Sequence, residues 1–151
     1  MLKKETRYDN YAYRIADLPA AAALIASGFE EGMLLSFNST GEMVLSDGKS
    51  PAFMAMSSCR NGRNQFTGKT TTAVSVMFGC ARVATSNYVT SETFTAGTPL
   101  YVATGGKVST TKNDYLIGYA GGAPTSDGYL EVYLVPPTPV STTTATPGSG
   151  D

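Results

Sequence analysis

Apolar and polar positions along this chain change rhythm at its first glycines. From Asp17 to Gly28, "DLPAAAALIASG", small and aliphatic residues run together between a polar start and a glycine. Asp17 is placed to cap the first turn, Pro19 to sit inside it and Gly28 to close the last, which predicts a helix of about two turns. So short a helix forms only when packed on something else. From Glu30 the pattern becomes short apolar stretches closed by Gly, Asn, Asp or Ser, the punctuation of strands and turns. "GMLLSFN" and "EMVL" flank "STG" and read as a hairpin; "AFMAM" follows the turn "DGKSP". "TAVSVMFGCARVA" reads as one long strand or two, and "TPLYVAT", "GGKVSTT", "YLIGYAGG" and "YLEVYLV" complete the set. About eight or nine short strands predict an all-β fold, a sandwich or a small barrel. Residues 1–16 read as an N-terminal arm in which "YAYRI" alternates as a strand does, either to dock on another protein or as the first strand of the domain's own sheet. Residues 17–135 form the β-rich core. Residues 136–151 form a Pro/Thr/Ser-rich tail with almost nothing to bury, disordered or polyproline-like on its own.

A faint repeat runs through the core. At an offset of 65 residues Gly32 meets Gly97, Leu35 meets Leu100, Phe37 meets Val102, Gly41 meets Gly106 and Ala55 meets Ala120. Either these are coincidences in a glycine-rich β chain or two similar β units pack together.

Composition narrows the chemistry. The chain has 151 residues, enough for one domain with a real core, and 42% of them are hydrophobic against 15% charged. No apolar run approaches the ~18 residues of a membrane span, and the first residues lack the apolar stretch of a secretory signal, so synthesis in a cytoplasm without membrane association is expected. Histidine is absent and there are two cysteines, Cys59 and Cys80. That rules out Ser-His and Cys-His catalysis and speaks against a zinc centre. Reduced thiols are the expectation in a cytosol, with a Cys59–Cys80 bridge left open.

The stretch "NGRNQFTGKTTT", Asn61 to Thr72, nearly spells a phosphate-binding loop. Five residues rather than four separate Gly62 from Gly68-Lys69-Thr70, and "TTTAVSVMFG" favours a strand where a phosphate loop must open a helix. An exposed loop between strands is expected instead. Its Arg60, Arg63 and Lys69 belong to a stretch, residues 49–91, that has no acid, while residues 15–48 have no base; the net charge is only −1. Either these charges mix in the folded chain, or the basic loop meets a carboxylate-bearing partner. The domain is too weakly basic for a nucleic acid partner. Adjacent Glu30 and Glu31 would point to opposite sides of a strand, so they make no catalytic pair. Tyr115, Tyr119, Tyr129 and Tyr133 either line a sugar-binding face or are half-buried strand residues.

"FEEGMLLSFNSTGEMVLSDGKSPAFMAM" (29–56) and "FTAGTPLYVATGGKVSTTKNDYLIGYAGGAPTSDGYLEVYLV" (94–135) together resemble the head decoration, or cement, proteins of tailed bacteriophages. The shared features are a glycine before an apolar strand, a "GGKV" hairpin, an "IGYA" strand and a closing "LEVYL" strand. The resemblance implies a small all-β module, sandwich or tulip-like barrel, with extended terminal arms. It implies attachment to the outside of a mature capsid as a homotrimer that bridges neighbouring subunits of the major capsid protein, with no enzymatic activity and no cofactor. It transfers no residue roles. From the arms and the basic loop alone, the expected interface residues are Lys3, Lys4, Arg7, Tyr8, Tyr11, Tyr13, Arg14, Arg60, Arg63, Lys69, Pro136, Pro137 and Pro139. The alternative is a tail- or fibre-associated adhesin domain that binds glycan through its tyrosines; an enzyme fragment is the weakest reading.

Overall fold

A computed structural model describes residues 13–141; Lys3, Lys4, Arg7, Tyr8 and Tyr11 and the tail from residue 142 lie outside it. The strands are β1 (Tyr13–Pro19), β2 (Leu34–Phe37), β3 (Met43–Leu45), β4 (Ala52–Ala55), β5 (Cys59–Arg60), β6 (Arg63–Asn64), β7 (Ala73–Gly79), β8 (Ala81–Thr85), β9 (Pro99–Ala103), β10 (Lys107–Ser109), β11 (Tyr115–Ala120) and β12 (Leu130–Pro139), with one helix, α1 (Ala22–Ser27), between β1 and β2. The fold is all-β, a small sandwich of two five-stranded antiparallel sheets, with a two-stranded β5–β6 ladder beside it. It is not a closed barrel.

The two sheets have one topology. The first runs β1-β7-β4-β2-β3 and the second β8-β12-β11-β9-β10, so strands taken in chain order occupy matching places. The 65-residue offset holds down to the register. Phe37 pairs with Met43 as Val102 pairs with Val108, and Leu35 pairs with Phe53 as Leu100 pairs with Gly118. Gly32 donates its N–H to Ala55 O at 2.8 Å, and Gly97 donates to Ala120 O at 2.8 Å. Phe29 and Phe94, 2% and 1% exposed, fill equivalent places. The last strands correspond at an offset of 56, since Val76 faces Ala55 as Val132 faces Ala120. In both units the chain after the first strand bridges to the third strand, Ala20 to Met43 and Tyr88 to Val108, so each sheet curls and its edges meet at a single point.

Strand alternation decides what lies between the layers. Leu34, Met54 and Met77 point from the back of the first sheet into one core with Leu100, Val102, Ile117 and Leu134 of the second. Their neighbours Leu35, Ala55 and Val76 point to the front, where Leu24 of α1, Phe29 and Cys59 cover them. The second sheet buries chiefly its front; its back buries Ala84 and Ser109 on the outer strands and exposes Tyr119 and Tyr133 between them. The order of layers is therefore helix, first sheet, second sheet. Burying each Leu or Met of the shared core contributes about 1.5–3 kcal/mol, so the two units hold each other.

Several expectations change. The helix is shorter: it starts at Ala22 with Ala21 as an N-cap that makes no side-chain cap bond. Asp17 and Pro19 belong to β1, where Asp17 accepts a hydrogen bond from the Ser75 hydroxyl across the pair. Gly28, at φ 80°, does close the helix, donating to Leu24 O at 2.9 Å. The end of the arm, residues 13–16, is the domain's own edge strand. "TAVSVMFGCARVA" is two strands in different sheets, separated at Gly79 (φ 98°) and Cys80. β12 continues through Pro136, Pro137 and Pro139, so the start of the tail is strand. The prolines fit because β8 stops pairing at Leu134, which leaves β12 an edge from there on. Cys59 is buried, Cys80 exposed, and both are free.

Candidate interaction surface

The stretch that imitates a phosphate loop is a hairpin standing off the first sheet. Asn61 and Gly62, at φ 52° and 70°, make the tight two-residue turn that Asn-Gly prefers. Around it Cys59 pairs with Asn64 and Arg60 with Arg63. The chain then doubles back: Asn64 N donates to Lys69 O at 2.9 Å, and Thr71 N donates to Gly62 O at 3.0 Å. The Asn64 side chain holds the return loop by accepting from Phe66 N at 2.9 Å and Thr67 N at 3.1 Å. With these amides bonded within the loop and no helix following, the stretch makes no phosphate cradle.

What the hairpin presents is charge beside an aromatic ring. Arg60, Arg63 and Lys69 are exposed, and Phe66 is 60% exposed, the most open large apolar side chain among the described residues. Arg60 and Arg63 are direct cross-strand partners, and like charges so placed repel. Arg63 Nη1 spends one donor on Gly68 O at 3.1 Å. Among the described residues none of the three bases forms an ion pair. Two other bases of the same stretch do find acids within the fold: Lys49 Nζ lies 3.5 Å from Asp114 Oδ1, and Arg82 Nη2 lies 2.9 Å from Glu131 Oε2. Charge mixing thus accounts for Lys49 and Arg82 and leaves the hairpin bases to solvent. Between the hairpin and α1 lies a groove of about 450 Å³ lined by Ala22, Ile25, Ala26, Glu42, Asn61 and Gly62.

The remaining expected residues gather elsewhere. Tyr13 pairs with Gly79 at the start of β1, and Arg14, exposed, pairs with Phe78. Gly79 lines the same crevice as Val135 and Pro137, so the start of β1 and the proline segment of β12 share one end of the sandwich. Pro136 and Pro139 are exposed in that segment. The hairpin sits at the other end of the first sheet, beyond Pro19 and Ala73, about 20 Å away along a seven-residue strand. The structure therefore sets the start of β1 and Pro137 at one end of the sandwich and Arg60, Arg63 and Lys69 at the other.

Two features escaped the sequence reading. Phe66 is given no role by the sequence patterns above, although an aromatic between Gln65 and Thr67 with no alternating apolar neighbour is the signal of an unburied ring. The Phe37–Phe53–Phe78 row is invisible in sequence because its members come from three strands; its ring centroids lie 6.0 and 4.7 Å apart. Tyr119 and Tyr133 are cross-strand partners, 40% and 38% exposed.

Two carboxylates have perturbed acidity. Hydrogen bonding from Arg82 holds Glu131 below its usual range, with help from Tyr133 and the Arg82 charge, against a smaller opposing effect of burial. Burial pushes Glu92 upward, but its bonds from Ser109, Thr110 and Thr111 together outweigh that and lower it. Both roles are structural: Glu92 ties the loop after β8 to the end of β10. No protein-family model, curated protein or solved structure matches this chain.

Proposed function

We propose that this protein is a structural component of a phage virion that binds the outer surface of the capsid and stabilises it by bridging neighbouring subunits of the major capsid protein, with no catalytic role. The observation that carries this reading is the placement of two attachment elements at opposite ends of a rigid block. One end holds the Arg60–Arg63–Lys69 hairpin with Phe66 in its return loop; the other holds the start of β1 and the proline segment of β12. A bridging protein needs contacts that diverge, whereas an enzyme or a pocket binder needs groups that converge. The bases suit an acidic capsid surface, and an aromatic beside arginine is the usual composition of a docking anchor. Repetition over a lattice turns individually weak contacts into firm attachment.

The test is binding of the purified protein to capsids that lack it, followed by counting copies against the major capsid protein. A fixed large ratio, lost in Arg60→Glu/Arg63→Glu, supports the proposal; undiminished binding of that variant removes the hairpin from it. A second reading, a glycan-binding tail or fibre module, draws on the exposed Tyr119–Tyr133 pair. Glycan binding abolished by Tyr119→Ala would favour it.

A further inference from the structure

We infer that copies of this chain associate head to tail, the exposed back of the second sheet in one copy seating on the phenylalanine row of the first sheet in the next. The template for this contact lies inside the chain. Val102 and Leu134, on the front of the second sheet, share a buried cluster with Leu34, Met54 and Met77 from the back of the first. The register of the repeat carries each partner to a position in the other unit. The counterparts of Val102, Gly118 and Leu134 are Phe37, Phe53 and Phe78. Phe37 is 41% exposed, and Phe53 and Phe78 are half-buried. The counterparts of Leu34, Met54 and Met77 are Pro99, Tyr119 and Tyr133, all three exposed.

Each molecule thus carries an unused receiving row and an unused inserting back; the rest of the first sheet's front lies under α1, Phe29 and Cys59. Where Val102, Gly118 and Leu134 meet Leu34, Met54 and Met77 inside the molecule, the open row offers three phenylalanines and the exposed back Pro99 and two tyrosines. Rings of this kind pack well edge to face. The charges on the tyrosine side do not oppose closure, since Arg82 and Glu131 pair at 2.9 Å. Arg14 flanks the phenylalanine row opposite Phe78, and the neutral Arg82–Glu131 pair stands beside Tyr133, so no like charges face each other there. The contact joins two different surfaces and is not self-complementary. It therefore builds a ring where the rotation closes, and an open chain where it does not. Side chains already more than half covered leave much less than the ~1,000 Å² of a stable interface, so a single contact is weak and closure of the ring is what holds it.

This inference does not depend on the capsid reading, and its test uses the free protein. In a Cys80→Ser background, Phe37→Cys and Tyr119→Cys variants are made separately and treated with a short bismaleimide, alone and mixed. The expected result is covalent dimer in the mixture and little from either variant alone. Dimer from one variant alone would show a symmetric contact and overturn the inference, as would a mixture that stays monomeric. A second measurement uses the unmodified chain: sedimentation rises with concentration, and Tyr119→Asp, a change at an exposed site, abolishes the rise. An unmodified chain that sediments as a monomer at every concentration refutes the contact.

Discussion

Phe94→Ala tests whether the two sheets are one cooperative unit. Phe94 is 1% exposed in the cluster that joins both sheets, and its ring meets Tyr88 edge to face at 5.5 Å. Truncating a buried phenylalanine costs about 3–5 kcal/mol, and the lost ring contact places this site in the upper part of that range. A domain of this kind holds about 5–15 kcal/mol, so the variant still folds. With a urea dependence near ~2 kcal/mol per molar, the midpoint should fall by about 2 M. The chain has no tryptophan, and six of its nine tyrosines, Tyr88, Tyr101, Tyr115, Tyr119, Tyr129 and Tyr133, belong to the second unit, so replacing Tyr8, Tyr11 and Tyr13 with phenylalanine leaves a reporter of that unit alone. Tyrosine fluorescence follows that unit, while far-ultraviolet circular dichroism follows both. The two transitions should coincide before and after the substitution and move together. A fluorescence transition that moves while part of the dichroism stays behind would refute the shared core.

Gly118→Ala should be costly, by about 1–3 kcal/mol or more, because a Cβ there would lie 2.2 Å from Tyr133 O and β11 cannot part from β12 without losing the ladder; thermal melting reads this directly. Acid should destabilise the fold through Glu131 and Glu92. Their folded pKa values are lowered, so their contribution is full above the unfolded carboxylate value of about 4.3 and disappears as pH falls through the folded values; Glu131→Gln should flatten the melting-temperature profile over that window. Arg60→Glu should relieve the repulsion across the hairpin, raising stability by about 0.2–1 kcal/mol while weakening capsid binding; a loss of both would mean that Arg60 is structural.

The core was legible in the sequence because its strands alternate and its turns are marked. "YLIGYA" and the "STG" hairpin are strands and a turn in the structure. The 65-residue offset, five loose matches in sequence, proves to be a register. What was not legible has physical causes. "YRIADLP" carries a good helix start, but pairing with β7 outweighs that local preference and makes Asp17 and Pro19 strand. Pro136 to Pro139 read as tail because proline is foreign to an inner strand, and only the early end of β8 turns that segment into an edge. The surface was legible in part. Arg60, Arg63 and Lys69 do share one exposed hairpin, but which bases find acids in the fold depends on long-range pairing that spacing does not reveal. Lys3, Lys4, Arg7, Tyr8 and Tyr11 lie outside the described residues.

The matched topology also bears on how the fold becomes stable. A lone half of about 60–70 residues buries too little surface to be more than marginal, and the first half alone would leave Leu34, Met54 and Met77 in water. Such a half becomes viable when its back is covered by the front of another like it. The chain joins its two halves at Gly79 and Cys80, so an encounter that would otherwise depend on concentration is intramolecular. Expressing residues 13–79 alone should then yield a species that self-associates or fails to fold, and adding residues 81–141 as a separate chain should rescue it.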